Sequence, residues 1–257
     1  MLEMRNIRKI YNPGTVRALC LFEDFNLMVP QGQFVSIVGS NGSGKSSLMN
    51  LLCGSILPDA GQILMDGQDI TKMSEHRRLK RIGRIHQNPA LGTCSGMSIL
   101  ENMALADNKP KRMNLMPGVD KKQIGRYRDL LRPLGLGLEN MMNARAGTLS
   151  GGQRQALAMV MSVMTPLDFL ILDEHTAALD PKTSDIIMEL TQRVVREHSL
   201  TALMVTHNLR YAIEYGNRLL MLHQGGIVLD VADEDKAATR LEDVLGLFTQ
   251  ISVELGN

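Results

Sequence analysis

The chain is poor in several residue types, and each shortage narrows the possible functions. It has no tryptophan, only three cysteines among 257 residues and a formal net charge of +1. Cys20, Cys53 and Cys94 form no CxxC pair, so their spacing argues against a metal cluster and suits a reducing compartment. Proteins that bind nucleic acid usually carry a basic excess, and this composition lacks one.

Long apolar runs are also missing. No segment approaches the roughly 20 apolar residues that a membrane-spanning helix requires. Hydrophobic residues nevertheless make up 44% of the chain, enough for the core of one large α/β domain with an inserted subdomain. We therefore expect that any role at a membrane depends on docking to another subunit.

The N-terminal third has the patterns of strands followed by one helix. Residues 34–38 form a short, continuous, apolar-rich run, which is typical of a strand buried on both faces of a parallel sheet. A glycine-rich stretch follows at 39–44, and residues 45–53 predict a helix. Further predicted elements are strands at 2–10 and 22–28 and a hairpin at 62–70 that turns at Asp66-Gly67.

The rest of the chain divides into a helical stretch and an alternating one. Residues 89–147 are too many for a single crossover loop, so they indicate an inserted helical subdomain. Its predicted elements are helices at 97–106, 121–134 and 135–142 and a polar loop at 107–118. The alternation after residue 147 implies a parallel sheet with right-handed crossovers. Its predicted elements are helices at 151–164, 181–197, 209–215 and 237–255 and strands at 169–172, 202–205, 218–222 and 226–230.

Residues 39–46 read Gly-Ser-Asn-Gly-Ser-Gly-Lys-Ser, which matches the phosphate-binding loop pattern between a strand and a helix. Glycines allow backbone N–H groups to converge on phosphate oxygens, and the following helix directs its positive end to the same place. We expect Lys45 to lie between the β- and γ-phosphates and Ser46 to bind Mg²⁺. The alternative is a glycine-rich turn that arose by chance.

Two acids follow the buried strand at 169–172. Ligands of open α/β sheets bind at the carboxyl ends of strands, where Asp173 and Glu174 lie. Asp173 is a candidate for holding Mg²⁺, and Glu174 is a candidate general base for an attacking water. Alone, such a pair is weak evidence, because acids often end strands where these meet solvent.

Three further motifs gain meaning only from their order. Leu149-Ser-Gly-Gly-Gln153, read alone, predicts an ordinary helix start with Ser150 as its cap, or a second anion site. Gln87 alone would be a solvated loop residue, and His207 alone a structural histidine after a strand.

Taken in this order along the chain, the five motifs resemble those of the ATP-binding subunit of a bacterial ATP-binding-cassette (ABC) transporter. The subfamily features resemble those of an importer. The resemblance covers nearly the whole chain. It implies an α/β P-loop NTPase (RecA-like) fold, with a parallel sheet core, an N-terminal antiparallel β subdomain and an inserted α-helical subdomain. In this division residues 1–88 and 148–257 form the ATP-binding core and residues 89–147 the helical signature subdomain.

The resemblance also implies roles for individual residues. Catalysis would involve Glu174, His207, Gln87 and Lys45, and Mg²⁺ would be held by Ser46, Gln87 and Asp173. ATP would be bound by Tyr11, Ser40, Asn41, Gly42, Ser43, Gly44, Lys45, Ser46 and Ser47. A second subunit would contribute Ser150, Gly151, Gly152 and Gln153 in trans, and Asp180 would lie in a loop that links the two sites. His86 and His175 depart from the aromatic residue and the proline that are common at these positions.

The same resemblance implies partners and a location. The partners would be transmembrane permease subunits, a second ATP-binding subunit in a homodimer and, indirectly, an extracytoplasmic solute-binding protein, with no nucleic acid. The protein would be peripheral, on the cytoplasmic side of the cell membrane, and would power import of a small solute such as an aromatic amino acid. The alternatives are a non-transport ABC ATPase that acts on DNA or ribosomes and, more remotely, a binding module without ATPase activity.

Overall fold

The computed structural model describes residues 1–109 and 118–254. The strands are β1 (Leu2–Tyr11), β2 (Leu19–Val29), β3 (Phe34–Gly39), β4 (Ala60–Met65), β5 (Gln68–Asp69), β6 (Ile82–Ile85), β7 (Phe169–Asp173), β8 (Thr201–Val205), β9 (Arg218–His223) and β10 (Gly226–Ala232). The helices are α1 (Lys45–Cys53), α2 (Glu75–Arg78), α3 (Ile99–Asn108), α4 (Ile124–Leu131), α5 (Gly151–Val163), α6 (Pro181–Glu197), α7 (Leu209–Glu214), α8 (Asp233–Ala238) and α9 (Leu241–Glu254).

The chain divides into two compact units. The first comprises Met1–Leu79 and Ser199–Asn257, and the second comprises Lys80–His198. Residues 89–147, the expected helical subdomain, belong to the second unit together with β6, β7, α5 and α6. Among the described residues, no helix has both the length and the apolar character needed to cross a membrane.

An antiparallel sheet in the first unit contains the N-terminal strands in the order β2-β1-β4-β5. Its inner face is apolar, since Leu2, Met4 and Ile7 of β1 are all buried. The predicted hairpin is present, and it turns at Asp66 and Gly67 with φ values of 50° and 76°. Two positive φ values in succession are those of a type I′ turn, which matches the twist of paired strands.

A second set of strands in the first unit has the order β10-β9-β3-β8, with β3 parallel to both β8 and β9. Every residue of β3 is buried, as the continuous apolar run predicted. The Gln224-Gly225 turn connects β9 to the antiparallel β10. Beside these strands, Val38, Leu219 and Met221 form a core cluster with Val244 of α9.

The second unit contains a short strand, β6, that was not predicted from the sequence. β6 has only four residues, and one of them is the charged Arg84, so its pattern is weak. The strand forms because it pairs in parallel with β7, where Ile82 lies opposite Phe169 and Ile85 opposite Leu172. Gly83 permits close packing, since a Cβ there would lie 2.6 Å from Cδ1 of Leu167.

Some predicted helices differ from those observed. The helix expected at 135–142 is wrong: only a 3-10 turn, Leu138–Asn140, forms there, because Gly135 and Gly137 adopt left-handed φ values of 66° and 74°. The helix expected at 121–134 is an α-helical core, α4, flanked by 3-10 turns. The tail helix expected at 237–255 is observed as α9, and the short helix α8, which precedes it, was not predicted. Most of the loop expected at 107–118 lies outside the described residues.

Candidate functional site

The phosphate-binding loop of the first unit begins where β3 ends. Gly39 has no space for a side chain, because a Cβ would lie 2.3 Å from the carbonyl oxygen of Leu222. Gly44 adopts a left-handed φ of 108° and approaches the Phe22 ring, so a Cβ would lie 2.9 Å from that ring. The glycine spacing is therefore imposed by close packing around the loop as well as by its turn.

The side chain of Lys45 lies inside this loop. It is 6% exposed, and its Nζ donates to the carbonyl oxygens of Gly39 at 2.7 Å and Ser40 at 2.8 Å. A third, longer contact of 3.5 Å reaches Oγ of Ser43. A buried ammonium group is costly unless it is hydrogen-bonded. The loop thus holds a positive charge at its centre.

The start of α1 adds backbone donors to this charge. The first N–H groups of an α-helix have no acceptor within the helix, and here Gly44 occupies the cap position without a side chain to bond them. The helix dipole makes the same end positive. Ser46, in the first turn, is exposed. A cation, converging N–H groups and a serine hydroxyl are the groups that bind a phosphate with its divalent cation, so the residues present fit ATP and Mg²⁺.

Tyr11 and His207 also belong to the first unit. Tyr11 is the last residue of β1, and its hydroxyl forms a 2.9 Å hydrogen bond with Oγ of Ser47 in α1. His207 is exposed and follows β8, whose end is joined to β3 by a 3.1 Å bond from Thr206 N to Ile37 O. Because β3 and β8 are parallel, His207 lies at the sheet edge where the phosphate loop starts.

In the second unit, acidic and amide side chains likewise follow the ends of two parallel strands. Because β6 and β7 are parallel, Gln87 and Glu174 both follow strands that end at one edge. Gln87 is exposed, and Glu174 has a left-handed φ of 47°, an uncommon conformation for a residue with a side chain. At this edge Nη2 of Arg84 donates to Oδ2 of Asp173 at 2.7 Å. Arg84 was not among the predicted site residues, although a charged residue within a short apolar segment was a signal for it.

His175, next to Glu174, is a buried structural group. It is 2% exposed, and its Nε2 lies 3.0 Å from Oγ1 of Thr191 on α6. The Thr191 hydroxyl donates its own hydrogen to Ile187 O at 2.7 Å, so Nε2 of His175 is the donor in the first bond. Burial lowers the pKa of His175 to about 4. The residue that replaces the common proline therefore anchors the turn after Glu174 to α6.

The Leu149–Gln153 motif opens α5. Oγ of Ser150 accepts from the backbone N–H of Gln153 at 3.2 Å, and Oε1 of Gln153 accepts from the N–H of Ser150 at 3.1 Å. This is a capping box, which satisfies two donors at the helix start. Gly151 is exposed and Gly152 is buried. Both alternatives from the sequence thus remain compatible with the motif: a capped helix start that also presents N–H groups.

The loop that contains Asp180 packs against this motif. A Cβ on Gly152 would lie 2.1 Å from Cγ2 of Thr183, and one on Gly151 would lie 3.1 Å from Cδ2 of Leu179. Asp180 caps α6, since its Oδ1 accepts from Thr183 N at 3.1 Å. Hydrogen bonds from Thr183 hold the pKa of Asp180 below its usual value. The second unit therefore brings together the glycine motif and the Asp180 loop through Thr183.

Comparisons with known proteins bear on this set of groups. Residues 22–177 match the profile of the family described as ABC transporter. The chain is 44% identical over 248 residues to a tyrosine transport ATP-binding protein of Clostridioides difficile (strain R20291), across 96% of this chain and 98% of that protein. The chain belongs to the ABC transporter family.

Other relatives agree with this membership in the ABC transporter family. A phosphonates import ATP-binding protein of Alcaligenes faecalis is 34% identical, across 90% of this chain and 82% of that protein. A dimeric ATP-binding cassette in a post-hydrolysis state with ADP and Pi has a TM-score of 0.75 and 28% identity, covering 90% of this chain and 98% of its own. A cassette in an ADP conformation, 23% identical, covers 100% of this chain and 99% of its own with a TM-score of 0.79, which shows the shared fold alone.

Membership confirms several expectations. The protein has the P-loop NTPase fold of ABC cassettes, binds ATP and hydrolyses it in a reaction coupled to transport. The relatives named above are transport proteins or cassettes, which favours the transport interpretation over an ABC ATPase that acts on DNA or ribosomes.

Proposed function

We propose that this ABC ATPase powers uptake of an aromatic amino acid through separate permease subunits. The observation that carries the ATPase assignment is the buried Lys45 ammonium, held by the Gly39 and Ser40 carbonyl oxygens at the start of α1. The cargo and the direction are supported by the names of relatives, a tyrosine transport protein at 44% identity and import proteins for phosphonates and methionine at 33–34%.

The first unit would bind the nucleotide. Lys45 would exchange its carbonyl contacts for phosphate oxygens between the β- and γ-positions, because a phosphate is the stronger acceptor for an ammonium group. The residues from Ser40 to Ser47, which are Ser40, Asn41, Gly42, Ser43, Gly44, Lys45, Ser46 and Ser47, would surround the phosphates with N–H and hydroxyl donors. Tyr11 would stack on adenine, and its bond to Ser47 supports a fixed position for its ring.

Hydrolysis would depend on a further group of residues. Mg²⁺, when bound, supplies positive charge that neutralises the phosphates during transfer. Ser46, Gln87 and Asp173 would hold it. Glu174 would accept a proton from the attacking water, and His207 would orient and donate to the γ-phosphate.

A second copy of the chain would complete each site. Ser150, Gly151, Gly152 and Gln153 would face the γ-phosphate that the other copy holds, since an exposed helix start favours an anion. Asp180 would lie where the two sites communicate, which its shared contact with Thr183 supports. The dimeric cassette among the structural relatives supports this pairing.

The permease would dock beside Gln87. Leu91 and Met97 follow this residue and are 67% and 40% exposed, so both can offer apolar contacts to a partner. We place the protein at the cytoplasmic face of the cell membrane, with an extracytoplasmic solute-binding protein on the other side.

Reconstitution tests this function. The ATPase and its co-purified permease would be placed in liposomes with the solute-binding protein, and ATP hydrolysis would be measured with tyrosine, phenylalanine, methionine or a phosphonate present. We expect stimulation by an aromatic amino acid alone. Stimulation by methionine or a phosphonate alone would contradict the cargo. In a parallel assay of the ATPase without the permease, stimulation by DNA or ribosomes would contradict the transport assignment.

A further inference from the structure

The ion pair between Arg84 and Asp173 has no part in the mechanism above. Arg84 lies on β6 opposite Ile171 of β7, and its Nη2 is 2.7 Å from Oδ2 of Asp173. The two side chains are only 16% and 20% exposed. The Arg84 guanidinium group thus neutralises the charge of the Asp173 carboxylate, which is the proposed Mg²⁺ ligand.

A second ion pair connects the same two strands and provides a comparison. Arg81 contacts Asp168 immediately before β6 and β7 begin, at the end of the strands opposite to Asp173. These side chains are 36% and 40% exposed. Exposed pairs are weakened by water, whereas partly buried charges act strongly on their neighbours. The Arg84 pair is therefore the one that affects a ligand at the carboxyl edge.

A carboxylate already paired with a guanidinium attracts a divalent cation less strongly. The two cations would lie close together around one aspartate, and like charges at such distances repel in a site that is partly shielded from water. Without Arg84, the same carboxylate would repel the phosphates of a nucleotide that arrives without its metal. Arg84 thus weakens the binding of a divalent cation at Asp173 and strengthens the binding of metal-free nucleotide.

We propose that Arg84 is a built-in competitor of Mg²⁺ at Asp173. It keeps the carboxylate neutralised while no divalent cation is bound and yields it when Mg²⁺ enters with the nucleotide. This inference rests on the proposed role of Asp173 as a metal ligand. As a consequence, Arg84 reduces the dependence of nucleotide binding on Mg²⁺.

The test compares nucleotide affinity with and without metal. The Kd of a non-hydrolysable ATP analogue would be measured by calorimetry in EDTA and in Mg²⁺. The Kd in EDTA divided by the Kd in Mg²⁺ reports how strongly nucleotide binding depends on the metal. In Arg84→Met we expect this ratio to rise about tenfold, because the carboxylate loses its internal cation. Arg84→Lys keeps the charge and should remain near the wild-type ratio, and so should the matched control Arg81→Met.

Each outcome separates the inference from the function on which it rests. An unchanged or lower ratio in Arg84→Met, or an equal rise in Arg81→Met, would overturn the competitor role. If Asp173→Asn leaves the wild-type ratio unaltered, Asp173 is no metal ligand, and its proposed metal role fails together with the inference. A lower ratio in Asp173→Asn with no change in Arg84→Met removes the inference alone. If Arg84→Met does not fold, Arg84→Gln takes its place against Arg84→Lys.

Discussion

At the scale of single residues, the candidate site combines a buried charged side chain with exposed polar ones. Lys45 is enclosed by its loop, whereas His207 and Gln87 are exposed at the ends of strands. A buried cation that faces phosphate contributes to binding in the ground state. An exposed group that reaches the γ-phosphate acts mainly when charge develops during hydrolysis.

Substitution of Lys45 and of His207 should therefore have different effects. Lys45→Ala removes the buried cation, and we expect ATP affinity to fall by about tenfold or more. His207→Ala should leave affinity within about twofold of wild type and lower kcat by about a hundredfold. Calorimetry with ATP and steady-state hydrolysis would measure both effects. An equal loss of affinity in the two variants would show that this division of roles is wrong.

His175 couples stability to pH. Its pKa is about 4 in the folded protein, against an ordinary value of about 6.5 when unfolded. Between these values the unfolded state binds more protons, so the free energy of unfolding rises with pH. His175 thus contributes roughly 3 kcal/mol to the pH-dependent free energy of unfolding. This contribution is fully present above pH 6.5 and is lost as the pH falls towards 4.

Urea unfolding between pH 4.5 and 7 would measure this dependence. His175→Gln keeps a donor for Thr191 but does not titrate, so its stability should change less with pH than that of the wild type. The exposed His198→Gln serves as the control and should leave the wild-type dependence intact. A His175→Gln profile parallel to that of the wild type would contradict the assignment.

At the scale of elements, the start of α5 is fitted against the first turn of α6. Gly152 leaves only 2.1 Å between the position of a Cβ and Cγ2 of Thr183. Asp180 caps the same turn of α6. A single glycine thus sets how closely the proposed trans-acting motif approaches the loop that precedes α6.

Gly152→Ala should destabilise the protein by about 1–3 kcal/mol, because the added methyl group displaces Thr183 from a packed contact. Thr183→Ser removes the opposing methyl group and should restore part of that loss in the double variant. Gly125→Ala is the matched control. Gly125 lies in α4 with open space around it within the described residues, so alanine should be neutral or slightly stabilising. Equal urea midpoints for the Gly152 and Gly125 variants would contradict this explanation.

At the scale of the whole molecule, each chain carries both of the motifs that we propose to contact a nucleotide. The phosphate loop belongs to the first unit, and the Ser150 motif belongs to the second. In the proposed dimer each nucleotide contacts the phosphate loop of one copy and the Ser150 motif of the other. ATP binding should then be linked to dimerisation, because a ligand that contacts both copies stabilises their association.

Glu174→Gln should trap this dimer in ATP and Mg²⁺. The amide keeps the shape of the side chain but cannot accept the proton of the attacking water, so hydrolysis slows by about a hundredfold or more while binding persists. Light scattering should show a dimer with saturating ATP and a monomer without it. A monomeric Glu174→Gln variant under saturating ATP would count against the two-copy site.

Leu91→Glu or Met97→Glu should separate hydrolysis from transport. Both side chains are exposed, so a charge there should disturb permease docking and leave the fold and the basal ATPase rate nearly intact. Co-purification with the permease and solute uptake should both fall. Leu57→Glu is a comparably exposed control, at 49%, in the first unit. If the variants at 91 and 97 still bind the permease and still support uptake, this surface is not the docking site.

The features that could be predicted from the amino-acid sequence are those that are contiguous in the chain. Adjacent residues indicate each of these features: glycines indicate the phosphate loop, a capping pair indicates the start of α5, and apolar runs indicate the buried strands β3 and β7. Their order along the chain was sufficient for the family, which the relatives then confirmed.

Contacts between distant side chains, by contrast, could be seen only in the folded protein. Arg84 and Asp173 are 89 positions apart, and His175 and Thr191 are 16 apart, so no local pattern predicts either bond. β6 exists because β7 supplies its hydrogen bonds, and residues 135–142 fail to form a helix because two glycines adopt left-handed conformations. Pairing between strands and the burial of charge are properties of the folded chain, since both require groups that only folding brings within reach.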